Sequence, residues 1–105
     1  MTKLKYFKIL TINGTYEDFT DFYDDNKGEI YKTIIEIFHE FKNTRKKSLT
    51  MYVCAKIKNL EWDTEFNFKR TDLIVLKRDV MTYFEQIEDY DTCCEVRDLH
   101  KSLCK

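Results

Sequence analysis

The sequence predicts an α+β domain: a small antiparallel sheet of about three strands, covered by helices and ending in a helical hairpin. Three observations predict it. Two consecutive runs between residues 49 and 68 alternate apolar and polar side chains, the period of a half-buried strand. Segments before and after them carry apolar residues at helical spacing. The chain has 105 residues, 43% hydrophobic and 15% aromatic, enough for one packed core. The expected organisation is a single domain over 1–105, with 71–104 as the C-terminal hairpin.

The bulky run at 4–12 reads as a first strand, ended by the turn signal Asn13-Gly14. Thr15 is placed to cap a short helix over 16–24, with Phe19, Phe22 and Tyr23 at helical spacing. Asp25-Asn26-Lys27-Gly28 is expected to break it. The strongest helical pattern follows at 29–41, where Ile30, Ile34, Ile37, Phe38 and Phe41 form one apolar stripe. Residues 43–47 make a basic turn. Leu49, Met51, Val53, Ala55 and Ile57 then alternate with Thr50, Tyr52, Cys54, Lys56 and Lys58. Leu60, Trp62, Thr64, Phe66 and Phe68 alternate with Glu61, Asp63, Glu65, Asn67 and Lys69, and the two runs are close enough for an antiparallel hairpin. Thr71 is expected to cap a helix whose face is Leu73, Leu76, Val80, Phe84 and Ile87. A break at Glu88-Asp89 leads to a last helix over 90–103.

Composition excludes several classes. The net charge of −1 gives no overall basic field for nucleic acid and no acidic field for a DNA mimic. The longest apolar runs are far too short to span a bilayer, and the N-terminus lacks the apolar core of a signal peptide. A cytoplasmic protein is therefore expected, in the host cell if phage-encoded. Its four cysteines, Cys54, Cys93, Cys94 and Cys104, are then expected to be reduced. With only Gly14 and Gly28 for glycines there is neither a P-loop nor a dinucleotide fingerprint.

Catalysis is not expected. His39 and His100 lie inside helical patterns, and Ser48 and Ser102 have no nucleophile-elbow context. Cys93, His100 and Cys104 share one face of the last helix, but the first and third are about 16 Å apart along the axis, too far to surround one tetrahedral ion. Neither a cofactor nor a metal is expected.

The charge is zoned. From 9 to 26 there are five acids (Glu17, Asp18, Asp21, Asp24, Asp25) and no base. From 41 to 60 there are six bases (Lys42, Arg45, Lys46, Lys47, Lys56, Lys58) and no acid. From 79 to 98 seven acids stand against Arg97 alone. Zoning of this kind steers one oriented partner. The expected contact residues are Lys46, Lys47, Lys56, Lys58 and Tyr52 in the basic zone, and Asp89, Tyr90, Asp91 and Glu95 in the acidic one. Tyr52 shares a strand face with Lys56 and Lys58, an arrangement of ring and cations suited to single-stranded RNA if that face is open.

The segment containing Tyr90, Asp91, Cys93, Cys94, Val96, Arg97, Asp98 and Leu103 resembles the second half of the UVR motif, a helical hairpin. Cysteines stand where that motif has alanines, and His100 stands where it has an apolar residue. The resemblance implies protein contacts without chemistry. The absence of proline and low glycine and alanine, beside abundant lysine, isoleucine, phenylalanine and tyrosine, suggest an AT-rich genome. In size and style the chain resembles phage or mobile-element proteins of the anti-CRISPR kind, which inhibit host defence. Together these imply a non-enzymatic inhibitor whose partner is a larger host protein or ribonucleoprotein complex, such as a CRISPR-Cas RNA-guided nuclease. The alternative is a small RNA-binding regulator using the basic 45–58 region. No membrane contact is expected.

Overall fold

The computed structural model describes residues 7–104. The fold is α+β, with the elements β1 (Lys8–Tyr16), α1 (Phe19–Asn43), β2 (Ser48–Ile57), β3 (Leu60–Lys69), a π-helical segment (Val75–Val80) continued by α2 (Met81–Gln86), and α3 (Tyr90–Leu103). Among the described residues two compact units are formed: 7–30 with Ser48–Phe68, and Tyr31–Lys47 with 69–104.

The first unit contains the sheet, in the order β1-β2-β3. The expectation of an antiparallel sheet is corrected here: β1 pairs with β2 in parallel, Ile9 opposite Tyr52, Leu10 opposite Val53 and Thr11 opposite Cys54. Alternation assigns a face to each residue but carries no information on strand direction, and the long helix between the strands permits the crossover that a parallel pair needs. Lys58 and Asn59, both with positive φ, turn the chain from β2 into β3. Two such residues suit the twist of a tight reversal, and asparagine tolerates the left-handed region better than most.

Two further expectations fail at the start of the chain. The part of the first strand at 4–6 lies outside the described residues, and β1 does not stop at Asn13-Gly14 but continues to Tyr16. Thr15 therefore sits in the ladder opposite Lys56. Asp18 takes the capping role instead, its Oδ1 accepting from the Asp21 amide at 2.9 Å. The expected break at 25–28 is also absent, since α1 runs unbroken through Gly28. A helical glycine costs about 1 kcal/mol. Local contacts offset it: Asn26 donates to the Phe22 carbonyl at 2.9 Å, and Lys27 lies 3.6 Å from Asp24. Phe22 and Ile30 are buried on this stretch, and burial of an apolar face holds a helix more firmly than propensity does. Trp62 of β3 packs against Phe19 and Phe22 with centroids 5.2 and 5.3 Å away, and Leu49, Met51, Val53 and Ala55 bury the inner face of β2.

In the second unit α1 contributes Ile34, Ile35, Ile37, Phe38 and Phe41 to the core, which accords with the expected stripe. Leu76, Val80, Phe84, Val96 and Leu99 complete it. Arg70 fixes the turn after α1: its guanidinium lies over the Phe41 ring and donates to the carbonyls of Thr44 and Lys46, while its amide donates to Lys47. Thr71 does not cap the next helix; Asp72 organises that corner, its carboxylate accepting from the Lys69 amide and its carbonyl from Val75. Ile87, expected on the buried face, follows the end of α2 and is exposed. The break before α3 is where it was expected. Glu88 adopts φ +60°, and the Asp89 amide reaches back to the Phe84 carbonyl.

Ile37 is fully buried, so Ile37→Ala is expected to lower stability by about 2–5 kcal/mol in urea melts. Glu88→Gly is expected to raise it by about 1 kcal/mol, because glycine adopts the left-handed terminus without steric cost.

Candidate functional site

The candidate site is the outer face of the sheet in the first unit. Strict alternation along β2 buries Leu49, Met51, Val53 and Ala55 and turns Thr50, Tyr52, Cys54 and Lys56 outward. On β3 the exposed alternating set is Glu61, Asp63, Glu65, Asn67 and Lys69. Cross-strand hydrogen bonds place both sets on one face: Tyr52 donates its hydroxyl to Asp63 at 2.5 Å, and Thr50 donates to Asn67 at 3.1 Å. The register brings Ile9 and Thr11 of β1 to that face, and Ile9 is 42% exposed. Three carboxylates, Glu61, Asp63 and Glu65, thus share the face with two ammoniums, Lys56 on β2 and Lys69 at the far end of β3. The Asp63 hydrogen bond is the main cause raising the Tyr52 phenol above its ordinary pKa, so the ring stays neutral.

A groove of about 510 Å³ opens on this face. Its origin is a fault in the ladder. Pairing passes from Thr11↔Cys54 directly to Thr15↔Lys56, so three residues of β1 stand opposite Ala55 alone. Gly14 takes φ +122° within that step, a conformation side chains rarely adopt. The irregular stretch interrupts the β1–β2 ladder, and Thr11, Thr15, Tyr52, Lys56, Glu61 and Asp63 line the space.

The contact residues expected from sequence fare differently. Lys46 and Lys47 are exposed in the second unit, on the turn held by Arg70. Lys56 and Lys58 are exposed in the first, Lys58 within the β2–β3 turn. Tyr52 is half-buried, and its hydroxyl is engaged by Asp63. At α3, Asp91 and Tyr90 are exposed. Asp89 is the helix cap, accepting from the Thr92 hydroxyl at 2.7 Å and amide at 3.2 Å, and Glu95 pairs with His39 at 2.8 Å. In the UVR-like segment Val96 and Leu99 are buried, and the Cys93 thiol points to the Met81 carbonyl of α2 at 3.7 Å. Burial raises the Cys93 thiol above its ordinary pKa, whereas Cys94 is exposed. Leu99, being buried, is not available as an apolar contact surface.

The acidic row Glu61, Asp63 and Glu65 escaped the charge map because it lies between the zones. Its signal was the period-two alternation, which places these side chains beside Tyr52 and Lys56 once the two strands are neighbours. Among the described residues no group of three or more His, Cys, Asp or Glu side chains is arranged to hold a metal, and no helix is long and apolar enough to cross a membrane. Comparison with protein-family models, curated proteins and solved structures yields no match.

The Thr92 hydrogen bonds, led by the hydroxyl, hold the Asp89 carboxyl below its usual pKa. A depressed carboxylate stabilises the fold above its unfolded pKa and loses that contribution as pH falls through the folded value. Asp89→Ala is therefore expected to lower the melting temperature at pH 7, and the gap to the parent protein should close as pH drops below about 4. A gap independent of pH would assign the loss to something other than the charged cap.

Proposed function

We propose that the chain is a non-enzymatic binding protein, an inhibitor of phage type that docks on a larger host complex such as a CRISPR-Cas RNA-guided nuclease. The observation that carries this reading is the outer sheet face, with the row Glu61, Asp63 and Glu65 beside Lys56, Lys69 at the far end of β3, and the exposed Ile9 beside Tyr52. Mixed apolar and charged surface of one dominant sign suits a protein partner with a basic rim, and a channel built to hold nucleic acid is such a surface. The face of Tyr52 and Lys56 suits RNA less well, since the carboxylates next to them repel a phosphate backbone. The exposed α3 residues Tyr90 and Asp91, with the UVR-like hairpin, supply a second area for protein contact.

The test is capture of the host complex by tagged protein, followed by mass spectrometry of bound protein and RNA. Glu61→Lys/Asp63→Lys/Glu65→Lys is expected to reduce capture at least about tenfold, while Lys46→Glu/Lys47→Glu leaves it nearly intact. Isolated single-stranded RNA is expected to bind at background level in low salt. RNA binding with a log–log salt slope of about −2 to −3, lost in the lysine variant, would replace the docking reading with the regulator reading.

A further inference from the structure

We infer that the groove on the outer sheet face is a receptor for one arginine side chain presented by the protein partner, an inference that rests on the docking reading above and gives its contact chemistry. The groove's volume, about 510 Å³, accommodates that side chain together with its flanking backbone. Its lining is mixed: the Tyr52 ring, the hydroxyls of Thr11 and Thr15, and the carboxylates of Glu61 and Asp63, with Lys56.

The sign of the occupant follows from the carboxylates. Asp63 accepts from the Tyr52 hydroxyl at Oδ2, and its Oδ1 has no partner among the described residues. Glu61 has no hydrogen bond or ion pair among them either, and Lys56, which lines the same groove, makes no direct ion pair with it. Two acceptors of negative charge are thus left for a cation entering from outside, and a phosphate or carboxylate is turned away.

Guanidinium fits better than ammonium for three reasons. Residues two apart on a strand are separated by about 6.7 Å, so Glu61 and Asp63 converge on a broad cation with donors on opposite edges better than on a point charge. A guanidinium offers five N–H donors in one plane, enough for both carboxylates and a threonine hydroxyl at once. It is also weakly hydrated and stacks on aromatic faces, which suits the half-buried Tyr52 ring. The spacing of the acids is wrong for a metal ion: no set of three or more ligands is assembled among the described residues.

Trp62 lines the groove and is the chain's single tryptophan, so its emission reports occupancy. The probes are a six-residue peptide alternating glycine and arginine and its lysine counterpart of equal charge, titrated by fluorescence and calorimetry. The arginine peptide is expected to shift Trp62 emission saturably and to bind at least tenfold more tightly than the lysine peptide. Glu61→Gln/Asp63→Asn should weaken it at least tenfold at an unchanged melting temperature; if that pair impairs folding, Glu61→Gln alone should still weaken it measurably. Equal affinity for the two peptides, no binding, or binding untouched by these variants would each overturn the assignment. Any of these together with host capture still lost in the triple lysine variant would leave the docking reading standing. Arginine-selective binding with host capture unaffected by the triple variant would overturn the docking reading and confine the groove's role to the isolated peptide.

Discussion

The parallel pairing of β1 with β2 is the constraint on which the rest of the arrangement depends. Parallel neighbours cannot be joined by a tight turn, because the chain must return to the end of the sheet from which it started. Here α1 supplies that return, 25 residues from Phe19 to Asn43. An interruption at Gly28 would leave the return without a rigid element. The local hydrogen bonds of Asn26 and the burial of Phe22 and Ile30 keep the helix whole at that point. With β1 on one side of β2, the only remaining neighbour position is on the other side. β3 takes it after the Lys58-Asn59 turn, and this brings its acidic row beside Tyr52, Cys54 and Lys56.

The same pairing is imperfect, and the imperfection has a consequence for binding. A regular ladder would pair every residue of β1 with one of β2. The three residues set against Ala55, with Gly14 at φ +122°, prevent this and leave a groove. Irregularities of this kind bend a strand and re-aim its neighbours, and they recur next to functional sites. The groove's charged lining comes from β2 and β3, while β1 supplies the irregular backbone together with the Thr11 and Thr15 hydroxyls. Charge and backbone geometry are therefore contributed by different strands of one sheet.

Much of this was legible in the residues. The period-two runs located β2 and the inner and outer faces of its residues, and the stripe from Ile30 to Phe41 located the buried face of α1. Glu88-Asp89 marked the start of α3. Strand direction was not legible, because alternation is identical in parallel and antiparallel strands. The length of α1 was misread because aspartate, asparagine and glycine favour turns locally, while long-range burial decides whether a helix continues. The charge map failed at the site for a related reason. Counting charges along the chain finds blocks, and the acidic row of β3 is diluted by the inward Trp62, Thr64 and Phe66. Only the folded sheet gathers Glu61, Asp63 and Glu65 on one face. Conversely, Asp89 and Glu95 looked available in a linear acidic zone and are occupied, one capping α3 and the other paired with His39.

The most direct test is the pattern of cross-strand nuclear Overhauser contacts between β1 and β2 in isotope-labelled protein. The account predicts contacts that ascend together along both strands: Ile9 with Tyr52, Thr11 with Cys54, then Thr15 with Lys56, with residues 12–14 falling between two consecutive pairs. Contacts that descend along β2 as they ascend along β1 would contradict it. So would an uninterrupted ladder through 12–14, since either arrangement removes the groove and the outer face described for it.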